Sequence, residues 1–422
     1  MEITLKNIGK LKNATVIIDG ITVIAGENNT GKSTVGKALY SFFNAHHSIE
    51  DQIRNARISS IRRILNNSFM QYTTRYYIIE PDHLEQVLND VMATRDDKAI
   101  RKCLKCLLEK YELEVSAEEI DSVVKRIIEI NLLSDNMILK SVLYRRLDDE
   151  FYGQITNLYS TRYGKIALKI KNSEISASIS KKNVVKLEGE FNLWAEPIYL
   201  DDPFILDELE DGYGYYRWRN YYHQSYNHRE QLKRKLKSQT DDSHIIDEII
   251  ADQKFSQIYN LISTVCEGDM VIGRNDKAGY RVNGQNRMLD IKNLSTGLKT
   301  FVILKKLLMD GTIVENGTII LDEPEIHLHP EWQLILAELT VLIHKLFGVN
   351  ILLNTHSPYF LNAIEIYSIK HNVNDNCRYY LAKSINDTEA EIQEVTGNLE
   401  LIYKGLARPL QTLENLRYQD GN

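Results

Sequence analysis

Short apolar strands alternate with turns over the first part of the chain, and the pattern then changes to that of a helix. Apolar and polar residues alternate over residues 2–5 and 14–18, and a third strand over residues 22–25 runs into a glycine-rich turn. A helix is predicted to leave that turn over residues 32–43. A strand that enters such a turn and leaves it as a helix is typical of an α/β domain.

The pattern changes again after residue 45. Residues 46–164 show long helical patterns, with no glycine between Gly36 and Gly153. Polar and apolar residues alternate once more over residues 165–190, with Asn and Ser at the predicted turns. We therefore predict a large helical insertion followed by an antiparallel β subdomain.

From residue 289 onward, predicted helices alternate with predicted strands. Helices are expected over residues 300–310 and 330–347, and strands over residues 318–321 and 350–354. Strands separated by such helices imply a mostly parallel sheet. The chain divides into four predicted segments: the first part of an α/β domain at 1–45, a helical insertion at 46–164, the second part of the α/β domain at 165–370, and a C-terminal tail at 371–422.

Composition and charge narrow the class of protein. The 422 residues carry 51 Lys and Arg against 58 Asp and Glu, a net charge of −7, which argues against a generally basic coat for nucleic acid. No apolar run approaches the roughly 18 residues that span a bilayer, and the N-terminus lacks the pattern of a secretory signal. Cys103 and Cys106 form a CxxC pair in a helical pattern, and we expect ordinary buried thiols rather than half a zinc site or a redox pair. A cytoplasmic protein with no membrane contact is expected.

A phosphate-binding loop is predicted at residues 26–33, which read GENNTGKS and fit the pattern GxxxxGK[ST]. The glycines allow backbone N–H groups to surround phosphate oxygens, and the helix N-terminus adds positive potential. In this pattern Lys32 reaches the terminal phosphates and Ser33 ligates Mg²⁺. A glycine turn that arose by chance would not explain the position between a strand and a helix. The predicted phosphate-binding residues are Gly26, Asn28, Asn29, Thr30, Gly31, Lys32, Ser33 and Thr34.

Two acidic residues follow the predicted strand at 318–321. Asp322 and Glu323 should emerge at the carboxyl edge of a parallel sheet, where the phosphate loop also lies. We assign Asp322 to Mg²⁺, through water, and Glu323 to the orientation or deprotonation of the attacking water. His356 ends the next predicted strand and should lie beside these acids, within reach of a γ-phosphate. Alone, such acids more often belong to a solvated turn, and such a histidine is more often an ordinary polar residue.

A second candidate anion site is the Leu-Ser-Thr-Gly sequence that contains Ser295 and Gly297 and precedes a predicted helix. In chain order, the phosphate loop, Leu-Ser-x-Gly, Asp-Glu-Pro and His resemble an ABC-type ATPase. Within that superfamily, residues 322–330 and 355–358 resemble the lineage of AAA family ATPases that contains RecF, the structural-maintenance-of-chromosomes (SMC) proteins and OLD (overcoming lysogenization defect). The signature departs from the usual Leu-Ser-Gly-Gly-Gln.

This resemblance implies a fold, cofactors and a partner. The fold would be an ABC-type ATPase head, an α/β structure with a mostly parallel sheet. ATP with Mg²⁺ would lie between two copies of the chain, so that Ser295 and Gly297 act in trans on the γ-phosphate held by the other copy. The partner would be a second copy of the chain, as a homodimer or a higher oligomer of dimers. His327 and His329 have a metal-ligand spacing, but no third ligand with suitable spacing appears.

Three functions fit these motifs. The first is an ATPase that controls the assembly or activation of a separate effector protein, expected to be a nuclease, as in the antiphage systems Septu and PARIS that the chain resembles. The predicted tail at 371–422 has only about 50 residues, and we expect this to be too few for the nuclease domain of OLD proteins. The second is a RecF-like repair or recombination ATPase that binds DNA directly. The third is a P-loop kinase or another small-molecule enzyme, which would leave residues 294–297 and His356 unexplained.

The segment at residues 212–237 bears on the choice between the first two functions. It holds seven Lys and Arg against one Glu, with six Tyr and one Trp interleaved. Cations and aromatic rings together suit single-stranded or flexible nucleic acid. They also suit a protein interface, and the six acids over residues 201–211 could neutralise them within the chain. The sequence leaves these three interpretations open.

Overall fold

The computed structural model describes residues 1–69, 80–189, 193, 195–209, 227–238, 256–273 and 277–419. Its strands are β1 (Glu2–Ile8), β2 (Leu11–Ile17), β3 (Ile21–Gly26), β4 (Gly164–Ile170), β5 (Ser173–Ile179), β6 (Val184–Glu188), β7 (Ile198–Leu200), β8 (Asp269–Ile272), β9 (Ala278–Arg281), β10 (Leu289–Asp290), β11 (Thr318–Asp322), β12 (Asn350–Thr355), β13 (Cys377–Ser384) and β14 (Ala390–Glu394). Its helices are α1 (Lys32–His46), α2 (Ile49–Phe69), α3 (Pro81–Met92), α4 (Asp97–Lys110), α5 (Ala117–Leu132), α6 (Asp135–Phe151), α7 (His228–Lys237), α8 (256–263), α9 (Thr296–Met309), α10 (Pro330–Phe347), α11 (Pro358–Lys370) and α12 (Glu400–Gln419). None of the helices in these ranges is long and apolar enough to cross a membrane.

One eleven-stranded sheet runs through the molecule in the order β6-β5-β4-β1-β2-β14-β13-β3-β12-β11-β7. The half from β13 to β7 is parallel throughout. Strands β4, β5 and β6 extend the other half of the sheet. In this part β1 pairs with β2 and with β4, β4 pairs with β5, and β5 pairs with β6, all antiparallel. A separate small antiparallel sheet contains β8, β9 and β10. The predicted α/β fold is confirmed, and the antiparallel strands predicted at 165–190 are the outer strands of the main sheet.

The side chains of the parallel strands alternate between two apolar cores. On β3, Ile21, Val23 and Ala25 belong to one core and Ile24 belongs to the other. Helices α9, α10 and α11 contribute to the first core, whereas α1 and α6 contribute to the second. Successive residues of a strand point to opposite faces, so register determines which polar side chains at the strand ends lie on the α1 face.

The helical segment is divided between two cores. The C-terminal part of α2 and helices α3, α4 and α5 enclose a core of their own, in which Ile61, Leu104 and Ile127 are fully buried. Helix α6 instead packs against α1, and its Leu143 and Leu147 belong to a core of the central sheet. Helix α6, together with Ile49 at the start of α2, therefore packs the helical segment against the domain that carries the phosphate loop.

The C-terminal residues differ from the predicted tail at 371–422, because they complete the central sheet. Strand β13 pairs in parallel with β3, the strand that precedes the phosphate loop, and β14 lies between β13 and β2. The side chains of Tyr379 and Tyr380 belong to opposite cores. A strand that is buried on both faces shows no alternation of apolar and polar residues, so the periodicity of the sequence did not reveal it.

Candidate functional site

The turn between β3 and α1 is closed by its own polar groups and depends on glycine. Gly31 has a φ of 84°, a left-handed conformation, and a Cβ at this position would lie 2.8 Å from the Leu11 side chain. The Thr30 hydroxyl donates a hydrogen bond of 2.8 Å to the carbonyl oxygen of Glu27. No side chain caps the first turn of α1, so no side chain competes with an anion for the N–H groups there.

Lys32 has a buried ammonium group, since only 4% of its side chain is exposed. Its Nζ donates to the carbonyl oxygens of Gly26 and Glu27, each at 3.0 Å. It also lies 3.2 Å from Oε1 of Glu323. A buried charge is costly unless it is paired, and these three oxygens match the three donors of an ammonium group. The phosphate loop and the acid after β11 are thereby joined.

Asp322 ends β11 on the face that carries α1. Its neighbour in the ladder is Asn354 of β12, while Ile320, two residues earlier, lies beside Tyr199 of β7. The Tyr199 hydroxyl donates to Oδ2 of Asp322 and the Asn354 amide donates to Oδ1, both at 2.9 Å. A carboxylate has about four acceptor positions, so about two remain for other partners. Oxygen donors of this kind are those that Mg²⁺ prefers, and Asp322 therefore fits the ion assigned to it.

Glu323 occupies a sharp turn directly after Asp322. Its φ is 50°, and its backbone N–H donates to the carbonyl oxygen of Asn354 at 2.9 Å. Its Oε1 lies 3.2 Å from Nζ of Lys32, and its Oε2 lies 3.4 Å from Nδ1 of His356. Non-glycine residues at positive φ are uncommon and are often found at functional sites. The structure thus brings together three of the predicted residues, Lys32, Glu323 and His356.

Glu325 was not among the predicted site residues, although it belongs to the same cluster. Its side chain is 2% exposed, and its Oε1 accepts hydrogen bonds from the Thr355 hydroxyl and from the backbone N–H of His356. Burial raises the pKa of Glu325, and the hydrogen bond from Thr355 offsets only part of that effect. Glu325 therefore connects the turn after β11 to the end of β12, which His356 directly follows.

The predicted signature residues lie in a different group. Ser295 precedes the first residue of α9, and its side chain makes no cap hydrogen bond. Gly297 packs closely against the loop after β11, because a Cβ there would lie 3.0 Å from the carbonyl oxygen of His327. A cleft of about 290 Å³ is lined by Ser295, Thr296, Gly297, His327, His329 and Trp332. Across the described residues, no hydrogen bond or ion pair joins Ser295 or Gly297 to the phosphate loop.

Comparison with known protein families identifies the class of protein. The family described as AAA ATPase domain matches residues 1–361. The chain belongs to the AAA ATPase domain family. Retron Vc95 probable ATPase from Vibrio cholerae serotype O1 biovar El Tor is 32% identical over 92 residues, which cover 19% of this chain and 18% of that protein. The match thus spans less than a fifth of that relative.

Solved structures similar to this AAA ATPase include three SMC heads. The SmcHead bound to the C-winged helix domain of ScpA has a TM-score of 0.42 at 10% identity, with 93% of this chain and 96% of that chain covered. The SMC head domain from Thermotoga maritima has a TM-score of 0.38 at 11% identity, covering 93% and 98%. An Smc head domain with an extended coiled coil, bound to the C-terminal domain of ScpA derived from Pyrococcus furiosus, has a TM-score of 0.42 at 12% identity, covering 99% and 98%.

A buried polar network that the sequence did not predict adjoins Asp322 of the AAA ATPase. The ring of Tyr199 stacks on His228 of α7 with centroids 4.2 Å apart. Nδ1 of His228 lies 2.6 Å from Glu150 of α6, and its Nε2 lies 3.0 Å from Oδ2 of Asp201. Burial alone would lower the pKa of His228, but Asp201 and Glu150 offset it and raise the pKa to about 9. The only sequence signals were a tyrosine in an apolar strand and an acid in a charged helix, neither of which is distinctive.

The basic and aromatic segment at 212–237 is only partly described, because residues 210–226 lie outside the described residues. In its described part, α7, three cations pair with acids of the same chain. Arg229 lies 2.7 Å from Asp202, Lys233 lies 3.3 Å from Glu208, and Lys235 lies 2.9 Å from Glu196. Asp202 and Glu208 belong to the acids at 201–211 and Glu196 lies just before them, so three of the five Lys and Arg residues of α7 are paired within the chain.

The raised pKa of His228 predicts a pH-dependent contribution to stability. Its folded-state pKa of about 9 exceeds the ordinary value of 6.5, so the contribution is complete below about pH 6.5 and is lost as the pH rises through about 9. We expect His228→Asn to lower the melting temperature most near pH 6.5 and much less at pH 10. Melting curves of wild type and variant across this range measure the difference.

The matched control is His344→Asn, since His344 is also buried but bonds a backbone carbonyl oxygen, that of Val349, instead of a carboxylate. Its effect on the melting temperature should not follow the same pH course. An effect of His228→Asn that is constant from pH 6.5 to pH 10 would contradict the assignment of a proton to this imidazole.

Proposed function

We propose that this AAA ATPase binds and hydrolyses ATP with Mg²⁺ between two copies of the chain, and that the resulting assembly controls a separate effector protein. The observation that carries the proposal is the convergence of Lys32, Glu323 and His356, at 3.2 and 3.4 Å, beside the phosphate loop. Such a group can bind a terminal phosphate and activate water at one place.

In the proposed reaction each residue of this group has one role. The loop N–H groups and Lys32 bind the β- and γ-phosphates, while Ser33 and Asp322 hold Mg²⁺, which supplies charge neutralisation when bound. Glu323 orients and deprotonates the attacking water, and His356 contacts the γ-phosphate. Lys32 pairs with Glu323 in the described state. Arrival of a phosphate gives the ammonium group a new partner, so that nucleotide binding releases the carboxylate for catalysis.

The second copy of the chain supplies the rest of the site. Ser295 and Gly297 line an open cleft at the start of α9, and in the described residues no hydrogen bond or ion pair joins them to their own phosphate loop. An uncapped helix N-terminus is an anion site. We assign the N-terminus of α9 to the γ-phosphate that the partner copy binds. ATP would then bridge the two subunits, and hydrolysis would allow them to separate.

The effector is proposed to be a nuclease in a cytoplasmic antiphage system. The similarity to Retron Vc95 probable ATPase supports this assignment, although it covers only 19% of this chain. We assign the surface of the helical insertion at 46–164 to the effector. Helices α3 to α5 have a core of their own, separate from the nucleotide domain, and α6 packs the insertion against that domain. The remaining segments, 1–45 and 165–370, form the ATPase head, and strands β13 and β14 complete its sheet.

Glu323→Gln should keep ATP bound but stop hydrolysis, because the amide cannot accept the proton of the attacking water. General-base catalysis contributes about 10²- to 10⁴-fold, so turnover should fall by at least about 100-fold. Gel filtration with ATP should then show a dimer or a larger assembly. Glu338→Gln is the control, since Glu338 pairs instead with Lys370 and His371. A Glu323→Gln protein that binds ATP and stays monomeric would favour the kinase-like alternative.

Mixing two inactive variants tests the assignment of Ser295 to the partner's nucleotide. Lys32→Ala removes the phosphate contact and Ser295→Arg blocks the signature, so each alone should lack activity. A mixed dimer contains one site with both defects and one site with neither. ATPase activity should therefore reappear on mixing, at up to about a quarter of the wild-type value if subunits exchange freely. If the mixture stays inactive although mixed dimers form, Ser295 acts within its own chain.

The alternative, direct DNA binding, depends on residues 212–226. Arg217→Glu together with Arg219→Glu should abolish a salt-sensitive affinity for DNA if the RecF-like function is correct, because phosphate contacts release counterions. The control is a separate variant of the wild-type protein in which the exposed Lys181 and Lys182 are replaced with Glu. Fluorescence anisotropy with labelled single-stranded and duplex DNA at two salt concentrations measures the affinity. No affinity in the wild type at low salt removes the alternative.

A further inference from the structure

The side chain of Tyr199 is placed to orient Asp322, and its neighbours leave it little room to move. It lies on the edge strand β7, one position before the end of that strand, and its parity puts the side chain on the α1 face together with Asp322. Its hydroxyl donates to Oδ2 of Asp322 at 2.9 Å. Helix α1 approaches this hydroxyl closely at Gly36, where a Cβ would lie 3.2 Å from the tyrosine oxygen. The tyrosine therefore fills the space between the helix after the phosphate loop and the acid assigned to Mg²⁺.

The ring of Tyr199 is itself held from behind by His228. The two rings are nearly parallel, with centroids 4.2 Å apart and planes at 23°. Tyr40 of α1 contacts both rings edge-on, at 6.0 and 5.9 Å. Aromatic contacts of these geometries are favourable beyond the area that they bury. A shift of His228 would therefore displace Tyr199 and its hydroxyl.

Glu150 fixes His228 from the helical segment. Its Oε1 lies 2.6 Å from Nδ1 of the imidazole, and its Oε2 accepts the backbone N–H of the same histidine at 3.0 Å. Glu150 is 1% exposed and lies on α6, the helix that packs the insertion against α1. A contiguous chain of contacts thus runs from α6 through His228 and Tyr199 to Asp322.

We propose that Glu150, His228 and Tyr199 are positioning residues that hold Asp322 in the orientation required by Mg²⁺, so that the helical insertion sets the Mg²⁺ affinity of the nucleotide site. This inference rests on the proposed function, because it takes Asp322 as a group that binds Mg²⁺ directly or through water. Outer partners that orient a metal ligand are worth about 10- to 100-fold in metal affinity or activity. A purely structural network would stabilise the fold without changing that affinity.

The experiment compares the affinity for a non-hydrolysable ATP analogue with Mg²⁺ and with EDTA, by isothermal titration calorimetry. Tyr199→Phe should reduce the affinity gained from Mg²⁺ by about 10-fold or more, while the affinity in EDTA stays near the wild-type value. The control is Tyr380→Phe, since Tyr380 lies in the same sheet and its hydroxyl accepts the backbone N–H of Ile17 at 2.9 Å. An unchanged Mg²⁺ gain in Tyr199→Phe overturns the proposal.

Glu150→Gln tests whether the insertion acts through the same chain of contacts. It should also reduce the affinity for the ATP analogue that is gained from Mg²⁺. It should add little further effect in the Tyr199→Phe background, because both changes remove the same constraint on the carboxylate of Asp322. Independent, additive effects on the Mg²⁺ gain overturn the connection. Thermal melting reports whether each variant folds, and His228→Gln replaces Glu150→Gln if the latter does not.

These outcomes are separate from a failure of the proposed function. Wild-type protein that binds no ATP analogue, or Lys32→Ala that binds it normally, contradicts the nucleotide site itself. Lys37→Ala is the control for that variant, because Lys37 lies on the same helix and contacts Tyr152 instead. Normal Mg²⁺-dependent binding in wild type, together with an unaffected Tyr199→Phe, contradicts only the positioning role.

Discussion

The parallel pairing of β3 with β12, and of β12 with β11, is the constraint on which the site depends. Parallel strands end at the same edge of a sheet, so the phosphate loop after β3, the acids after β11 and the histidine after β12 converge without any further device. The backbone of Glu323 strengthens the convergence by bonding the carbonyl oxygen of Asn354 at 2.9 Å. A slip of one residue in this register would send Asp322 to the opposite face of the sheet.

Buried charge accounts for much of the detail at this edge. Lys32 and Asp322 lie in positions from which water is largely excluded. Lys32 has an acceptor for each of its three donors, and Asp322 accepts two hydrogen bonds. Such pairing is required because an unpaired buried charge costs several kcal/mol. The same requirement makes the site responsive, since a phosphate or a metal ion can replace one of the present partners without leaving a charge unsatisfied.

Helix α6 brings a residue of the helical segment to this site. Helices α3, α4 and α5 belong to a core of their own, whereas α6 packs on α1 and carries Glu150 into the network beside Asp322. The proposed control of a partner requires such a connection, because binding at one surface must change the geometry at another. The path here is short, and it consists of an ion pair, a ring stack and a hydrogen bond.

The sequence by itself determined the local elements and most of the site. The phosphate loop, the acids at 322–323 and His356 each follow a recognisable strand, and strand order along a βα pattern is enough to predict that they meet. It did not reveal β13, because a strand buried on both faces lacks a polar–apolar alternation. It also missed β14, a short strand in which buried Ala390 and Ile392 alternate with exposed residues. Nor did it reveal Glu150, His228 and Tyr199. These residues are far apart in the chain, and only the packing of α6 and α7 around β7 removes them from water and makes them one network.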